Sequence, residues 1–313
     1  MPHANKTSIA CIGECMLELA PAGNGLFWQS FAGDTFNTAV HLARQFGQDL
    51  DVSYITGVGD DPFSQKITAI FEKENIRTDA LQYIEGRSLG LYMIENDASG
   101  ERFFQYWRNA SAARLMFDGW TSGEIAKLLV NYDCIYLSGI SLAILDTKQR
   151  QSLIEALLDV KQDCLIAYDP NYRACLWSDI DISRQINKQL AQLADIALIS
   201  KEDHIALWGV SSSSSIAATW SSWGTSEVIV KDGGKECLIL RDTDELSVSA
   251  RSNIVPIDTT GAGDAFAAGY VGSRLLKDTI LEAANKAHSI AADVIQHQGA
   301  IIALANFKEK SEA

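Results

Sequence analysis

Short apolar runs alternate with stretches of helical period along most of this chain, and that alternation restricts its fold more than any other feature. Residues 8–12 form an apolar run that ends at Gly13, as a buried strand does. From residue 35 to 46 the apolar positions Phe36, Ala39, Val40, Ala43 and Phe46 keep helical spacing, and residues 52–56 again look like a strand. Asp60-Asp61-Pro62 then opens a helix with Phe63, Ile67, Ile70 and Phe71 on one face. A proline in the first turn gives up an N–H that has no partner there, and the two carboxylates favour the positive end of the helix. Further strands are predicted at 134–137, 165–169, 196–200 and 228–231, separated by helices such as 147–161 and 182–193. Strands that take turns with helices imply an α/β fold whose mostly parallel sheet is covered on both faces. With 313 residues, 47% of them apolar, the chain can bury a large core, and we expect one α/β domain over 1–313.

Two segments interrupt the rhythm. Residues 89–95 and 102–107 flank the turn-rich Asn96-Asp97-Ala98-Ser99-Gly100 and predict an antiparallel hairpin. Residues 18–32, which contain Pro21, Gly23 and Gly25, also lack a helical period. Together they predict a small β flap beside the main sheet. The five serines at 211–215 look like a solvated loop.

The 26 basic residues face 40 acidic ones, a net charge of −14, so phosphate backbones and anionic lipid are repelled. Neither nucleic acid nor a membrane is an expected partner, and a small anion would need a basic pocket of its own. Cys11, Cys15, Cys134, Cys164, Cys175 and Cys237 include no CxxC pair, and we expect small reduced core residues. The N-terminal stretch has no long apolar run, and no window approaches a membrane span, so the cytoplasm is the expected compartment. A homo-oligomer is compatible with all of this.

Chemistry concentrates in Asp258-Thr259-Thr260-Gly261-Ala262-Gly263-Asp264, followed by a small-residue apolar stretch with Ala265, Ala268, Gly272 and Leu275. Small residues let the backbone turn tightly and present N–H groups, and a glycine turn that feeds a helix N-terminus attracts anions. Asp264 stands at the start of that helix, where a carboxylate could take a proton from an attacking hydroxyl. Taken alone, the stretch reads more simply as a loop with a capping aspartate. It is not a Walker A loop, which needs GxxxxGK[ST].

This motif resembles the C-terminal signature of the ribokinase-like (PfkB) carbohydrate kinases, and the resemblance runs along nearly the whole chain. Gly33-Asp34-Thr35-Phe36-Asn37-Thr38-Ala39 is similar to the family's N-terminal GGxxxN segment, with Ala32 in place of the first glycine. Gly57-Val58-Gly59-Asp60-Asp61-Pro62-Phe63 matches a further conserved stretch of that family. The resemblance implies a ribokinase-like fold whose β lid is formed by segments of about 18–34 and 85–110. It implies Asp264 as catalytic base and Gly261, Ala262 and Gly263 as anion hole. It also implies ATP as phosphoryl donor with Mg²⁺, bordered by Asn171, Ser200, Lys231, Gly233, Gly234, Gly261, Gly263 and Asn285. The family's second glycine after its KxG is absent near Glu236, and its Asn-x-x-Glu reads Ser200-Lys201-Glu202-Asp203, leaving Asp203 as a weak candidate for placing Mg²⁺.

Within the family, four segments are most similar to the 2-keto-3-deoxygluconate kinases. They are Gly13-Glu14-Cys15-Met16-Leu17-Glu18-Leu19, Gly90-Leu91-Tyr92, Tyr106-Trp107-Arg108 and Asp169-Pro170-Asn171-Tyr172-Arg173. That likeness implies phosphorylation of 2-dehydro-3-deoxy-D-gluconate at O6. The side chains agree, because a sugar acid brings a carboxylate that arginine's planar fork suits. The sugar-binding residues expected are Gly33, Asp34, Asn37, Tyr92, Tyr106, Arg108, Arg173 and Asp264. Arg108 is expected on a lid strand on the face of Tyr106, and Arg173 just after a core strand, where ligands gather in open sheets. Singly, the arginines could be surface ion-pair residues, the tyrosines hairpin packing, and Asp34 and Asn37 helix caps. A kinase for fructose or ribose, or a non-catalytic sugar sensor, are the alternatives.

Overall fold

A computed structural model describes residues 6–96, 102–303 and 307. The leader reading of residues 1–5 and most of the turn expected at 96–100 lie outside these described residues.

The chain begins with β1 (Thr7–Ile12), β2 (Met16–Gly23), β3 (Leu26–Ala32), α1 (Asp34–Phe46), β4 (Leu50–Ile55), β5 (Gly57–Val58) and α2 (Pro62–Lys73). Then come β6 (Gln82–Tyr83), β7 (Gly90–Asn96), β8 (Arg102–Trp107), α3 (Ser122–Leu129), β9 (Cys134–Ser138) and α4 (Gly139–Ala143). The middle continues with α5 (Thr147–Val160), β10 (Leu165–Asp169), α6 (Ile180–Leu193), β11 (Ile196–Ser200), α7 (Lys201–Trp208), α8 (Ser213–Trp223) and β12 (Glu227–Lys231). The last elements are β13 (Glu236–Arg241), β14 (Asp244–Ser249), α9 (Ala262–Leu275) and α10 (Ile280–Val294).

Among the described residues, eight strands form the main sheet in the order β14-β13-β12-β11-β10-β9-β1-β4. From β4 to β12 every neighbouring pair is parallel, and β12-β13-β14 close one edge as an antiparallel meander. The parallel strands are buried on both faces. In β1, Ile9 and Cys11 join one apolar cluster with residues of α1, α9 and α10, while Ala10 and Ile12 join the other with residues of α3, α5, α6 and α8. The chain leaves β1 for β4 on one side and returns to β9 on the other. Strand order therefore reverses at β1, and the crevice above the carboxyl ends there is where an open α/β sheet binds ligands.

A second sheet, β3-β2-β7-β8, supplies the flap. β7 and β8 pair antiparallel as expected, with Tyr92 opposite Tyr106, while β2 joins β7 in parallel with Glu18 opposite Tyr92.

Two expectations need correction. Ser213, Ser214 and Ser215 are not loop but the first turn of α8, because the Ser212 side chain accepts from the Ser215 N–H and caps the helix. Cys175 is exposed in a short 3-10 turn, whereas the other five cysteines are buried. The β13–β14 hairpin was not foreseen.

Candidate active site

Gly261 carries φ +75, and a Cβ there would meet Ala300 Cβ at 2.6 Å, so the turn into α9 needs a residue without a side chain. Asp258, at the head of the motif, fastens this turn. Its carboxylate accepts from the N–H groups of Thr260 (3.0 Å) and Gly299 (2.8 Å) and from Gln298 Nε2 (3.1 Å). Ala262 and Gly263 are the first residues of α9, so the turn points its helix N-terminus into the crevice above the sheet.

Asp264 lies in the first turn of α9. Its Oδ2 accepts from Asn37 Nδ2 at 2.8 Å, and its backbone carbonyl accepts from Thr38 Oγ1 at 3.3 Å. Burial, reinforced by the nearby Asp34 carboxylate and opposed by the Asn37 hydrogen bond, pushes its carboxyl up to about 7. Asp34 accepts from Asn171 Nδ2 at 2.8 Å. The Asn171 N–H donates to Asp169 Oδ1 at 3.1 Å, and Lys231 Nζ reaches Asp169 Oδ2 at 2.7 Å. That ammonium would also sit 3.7 Å from a Cβ at Gly263, which puts a cation beside the glycine turn. Four stretches far apart in sequence thus meet around one carboxylate that can lose its proton near neutrality.

The capping alternative survives in part for Asn37: its Oδ1 accepts from the N–H of Gly33, the N-cap of α1, at 3.4 Å, while its Nδ2 donates to Asp264; Asp34, in the first turn, accepts from Asn171. Asn171, expected beside the nucleotide, is bonded instead to Asp34, a residue expected on the sugar.

Tyr92, Tyr106 and Arg108 lie together on the flap. The Tyr92 hydroxyl donates to Glu18, which also accepts from Ser30 Oγ at 2.6 Å. Arg108 is not on β8, as expected, but is the first residue beyond it; its guanidinium lies 5.8 Å from the Tyr106 ring centroid. It is 5% exposed and ion-paired to Glu14. Arg173 is half exposed, with Nη1 3.2 Å from Asp203 Oδ1. Burial raises the Tyr106 hydroxyl, and both Arg108 and Arg173 oppose the shift, so both cations lie near this hydroxyl.

The residues expected beside the nucleotide are more dispersed. Ser200 caps α7 by accepting from the Asp203 N–H at 3.3 Å. Gly233 and Gly234 form the turn between β12 and β13, and Lys201 pairs with Asp232 just before it at 2.8 Å. Asn285 sits on the exposed side of α10, which packs on α9. Burial raises the Asp203 carboxyl while Arg173 opposes the shift. Glu14, Glu18 and Asp169 were given no role from sequence, although all three stand inside quoted segments.

The profile of the pfkB family carbohydrate kinases matches residues 6–306. The chain is 40% identical over 300 residues to the 2-dehydro-3-deoxygluconokinase of Escherichia coli strain K12, covering 94% of this chain and 96% of that protein. It is also 40% identical over 304 residues to the 2-dehydro-3-deoxygluconokinase of Dickeya dadantii, covering 95% and 97%. Among solved structures, aminoimidazole riboside kinase from Salmonella enterica, complexed with aminoimidazole riboside and an ATP analog, superposes with a TM-score of 0.80. The identity is 20%, and the match covers 97% of this chain and 99% of that one. That structural likeness concerns the ribokinase-like fold, while the profile match spans the flap, the Asp34–Asn37 segment and the glycine turn together. By sequence and by fold, this chain belongs to the pfkB family of carbohydrate kinases.

Proposed function

We propose that this carbohydrate kinase transfers the γ-phosphoryl group of ATP to the 6-hydroxyl of 2-dehydro-3-deoxy-D-gluconate, giving the 6-phosphate and ADP. The observation that carries the proposal is identity of 40% to proteins of that activity over nearly the full chain. The site is consistent with it. Asp264, about half ionised at pH 7 and increasingly so above it, takes the hydroxyl proton as the oxygen attacks phosphorus and the bond to ADP breaks. Gly261 and Gly263 offer backbone donors, and Lys231 a positive charge, where negative charge develops on the phosphoryl oxygens; the Ala262 N–H donates to the Thr259 carbonyl at 3.2 Å and shapes the turn. Gly33, Asp34 and Asn37 line the sugar side, with Tyr92, Tyr106, Arg108 and Arg173 reserved for the acid end.

Mg²⁺ belongs to such a reaction as the partner of the nucleotide phosphates, whose charge it neutralises. Among the described residues no three His, Cys, Asp or Glu converge as a cage, and Asp203 is engaged by Arg173. A nucleotide-borne Mg²⁺ needs only one or two protein carboxylates, and Asp203, the candidate for placing it, is paired with a cation in this structure.

A coupled ADP-release assay over a panel of sugar acids, fructose and ribose tests the substrate. We expect kcat/KM for the sugar acid to exceed that for the neutral sugars by about a hundredfold, since charge-assisted hydrogen bonds to a carboxylate are worth about 1.5–3 kcal/mol each. A preference for fructose or ribose would refute it.

A further inference from the structure

Arg108, placed above in the sugar site, is not a free cation waiting for a carboxylate. It is nearly fully buried, and its Nη2 already donates to Glu14, which is itself 2% exposed. Both partners keep an unmet polar atom, Glu14 Oε1 and Arg108 Nε. A buried guanidinium without a counterion is costly, so something must hold this one, and the holder comes from the turn after β1 rather than from the flap. Gly90 makes the room: a Cβ there would fall 2.6 Å from Glu14 Oε1 and 3.2 Å from Arg108 Cβ. The segments Gly13-Glu14, Gly90 and Arg108, separate in sequence, are thus one packing unit at the junction of flap and body.

We propose that Glu14 is a positioning residue for sugar binding: it fixes the Arg108 guanidinium at the flap junction, with its Nε–H left to the sugar's acid group. The carboxylate acts through Arg108 alone and takes no part in phosphoryl transfer. The proposal rests on the sugar-acid reading for the identity of the ligand, but not for the coupling between the two residues.

The test is a double-mutant cycle on sugar KM. Glu14→Gln keeps the shape and one acceptor oxygen but removes the charge. We expect it to raise the sugar KM about three- to tenfold while kcat and the ATP KM stay within about twofold. Glu14→Ala, where it folds, should raise it further. In an Arg108→Ala background, Glu14→Gln should change the sugar KM by less than about twofold, because the group it positions is gone. Gly90→Ala, which crowds the same pair, should mimic Glu14→Gln. A sugar KM that falls in Glu14→Gln would mean that Glu14 competes with the substrate, and this overturns the proposal. So would additive effects in the cycle, or equal losses in the ATP KM. The measurements use whichever sugar the wild type phosphorylates fastest. Should that be a neutral sugar, the substrate reading fails, while the cycle still decides whether Glu14 acts through Arg108.

Discussion

Asp264→Asn should inactivate the enzyme and at the same time stabilise it, by an amount that depends on pH. In the unfolded chain this carboxyl titrates at its ordinary value of 3.8, and in the folded chain at about 7. Between those values the folded state holds a proton that the unfolded state has released, so stability is lost as pH rises from about 4 to about 7. At 1.36 kcal/mol per pH unit, the cost of ionising Asp264 in the fold reaches about 4 kcal/mol above pH 7.5, and is about 2 kcal/mol at pH 5. Asparagine copies the shape of the protonated acid, can still bond to Asn37, and never ionises. For 313 residues, the unfolding entropy converts 4 kcal/mol into about 6 °C. Thermal melts of wild type and variant from pH 5 to 8.5 should therefore show a Tm advantage of about 6 °C at pH 8, shrinking to about 3 °C at pH 5. A variant that melts below wild type at pH 8, or an advantage that ignores pH, would refute the assignment of a strained, buried carboxylate.

Three other outcomes follow from the same geometry. The wild-type kcat/KM profile should fall about tenfold per pH unit below pH 7 as Asp264 takes up its proton, and a flat profile to pH 5 would remove it as the base. Arg173→Ala should raise the sugar-acid KM about ten- to a hundredfold and leave the weak activity on a neutral sugar within about twofold; equal losses on both would make the arginine structural. Backbone amides of β2, β7 and β8 should gain hydrogen-exchange protection when sugar acid and nucleotide bind together, as a closing lid requires, and unchanged protection would contradict that role.

What could be read from sequence was decided by burial. The strands β1, β9, β10 and β11 announce themselves because both of their faces are covered, so their central residues form nearly continuous apolar runs. β14 has no such signature: it is an edge strand in which only Val248 is buried, and Asp244 and Glu245 read as loop. The same holds at the site. Asp264, Gly261 and Asn37 were legible because a turn chemistry and a family motif coincide there. Glu14, Glu18 and Asp169 escaped a role because each is defined by its partner. Glu14 bonds to a residue 94 positions away, Glu18 to one 74 away, and Asp169 to one 62 away. A carboxylate that neutralises a cation across the fold leaves no local spacing to detect. Arg108 was expected as a free ligand for the same reason, since its counterion lies on another element.

The most direct measurement is to identify the product. ATP, Mg²⁺ and 2-dehydro-3-deoxy-D-gluconate are incubated with the wild type and with Asp264→Asn, and the products are followed by ³¹P NMR. The account predicts one new phosphomonoester, coupled to the protons on C6 and formed in step with ADP, appearing about 10²–10⁴ times more slowly with the variant. ADP formed without a phosphorylated sugar acid, phosphate on another carbon, or an equally fast variant would contradict it.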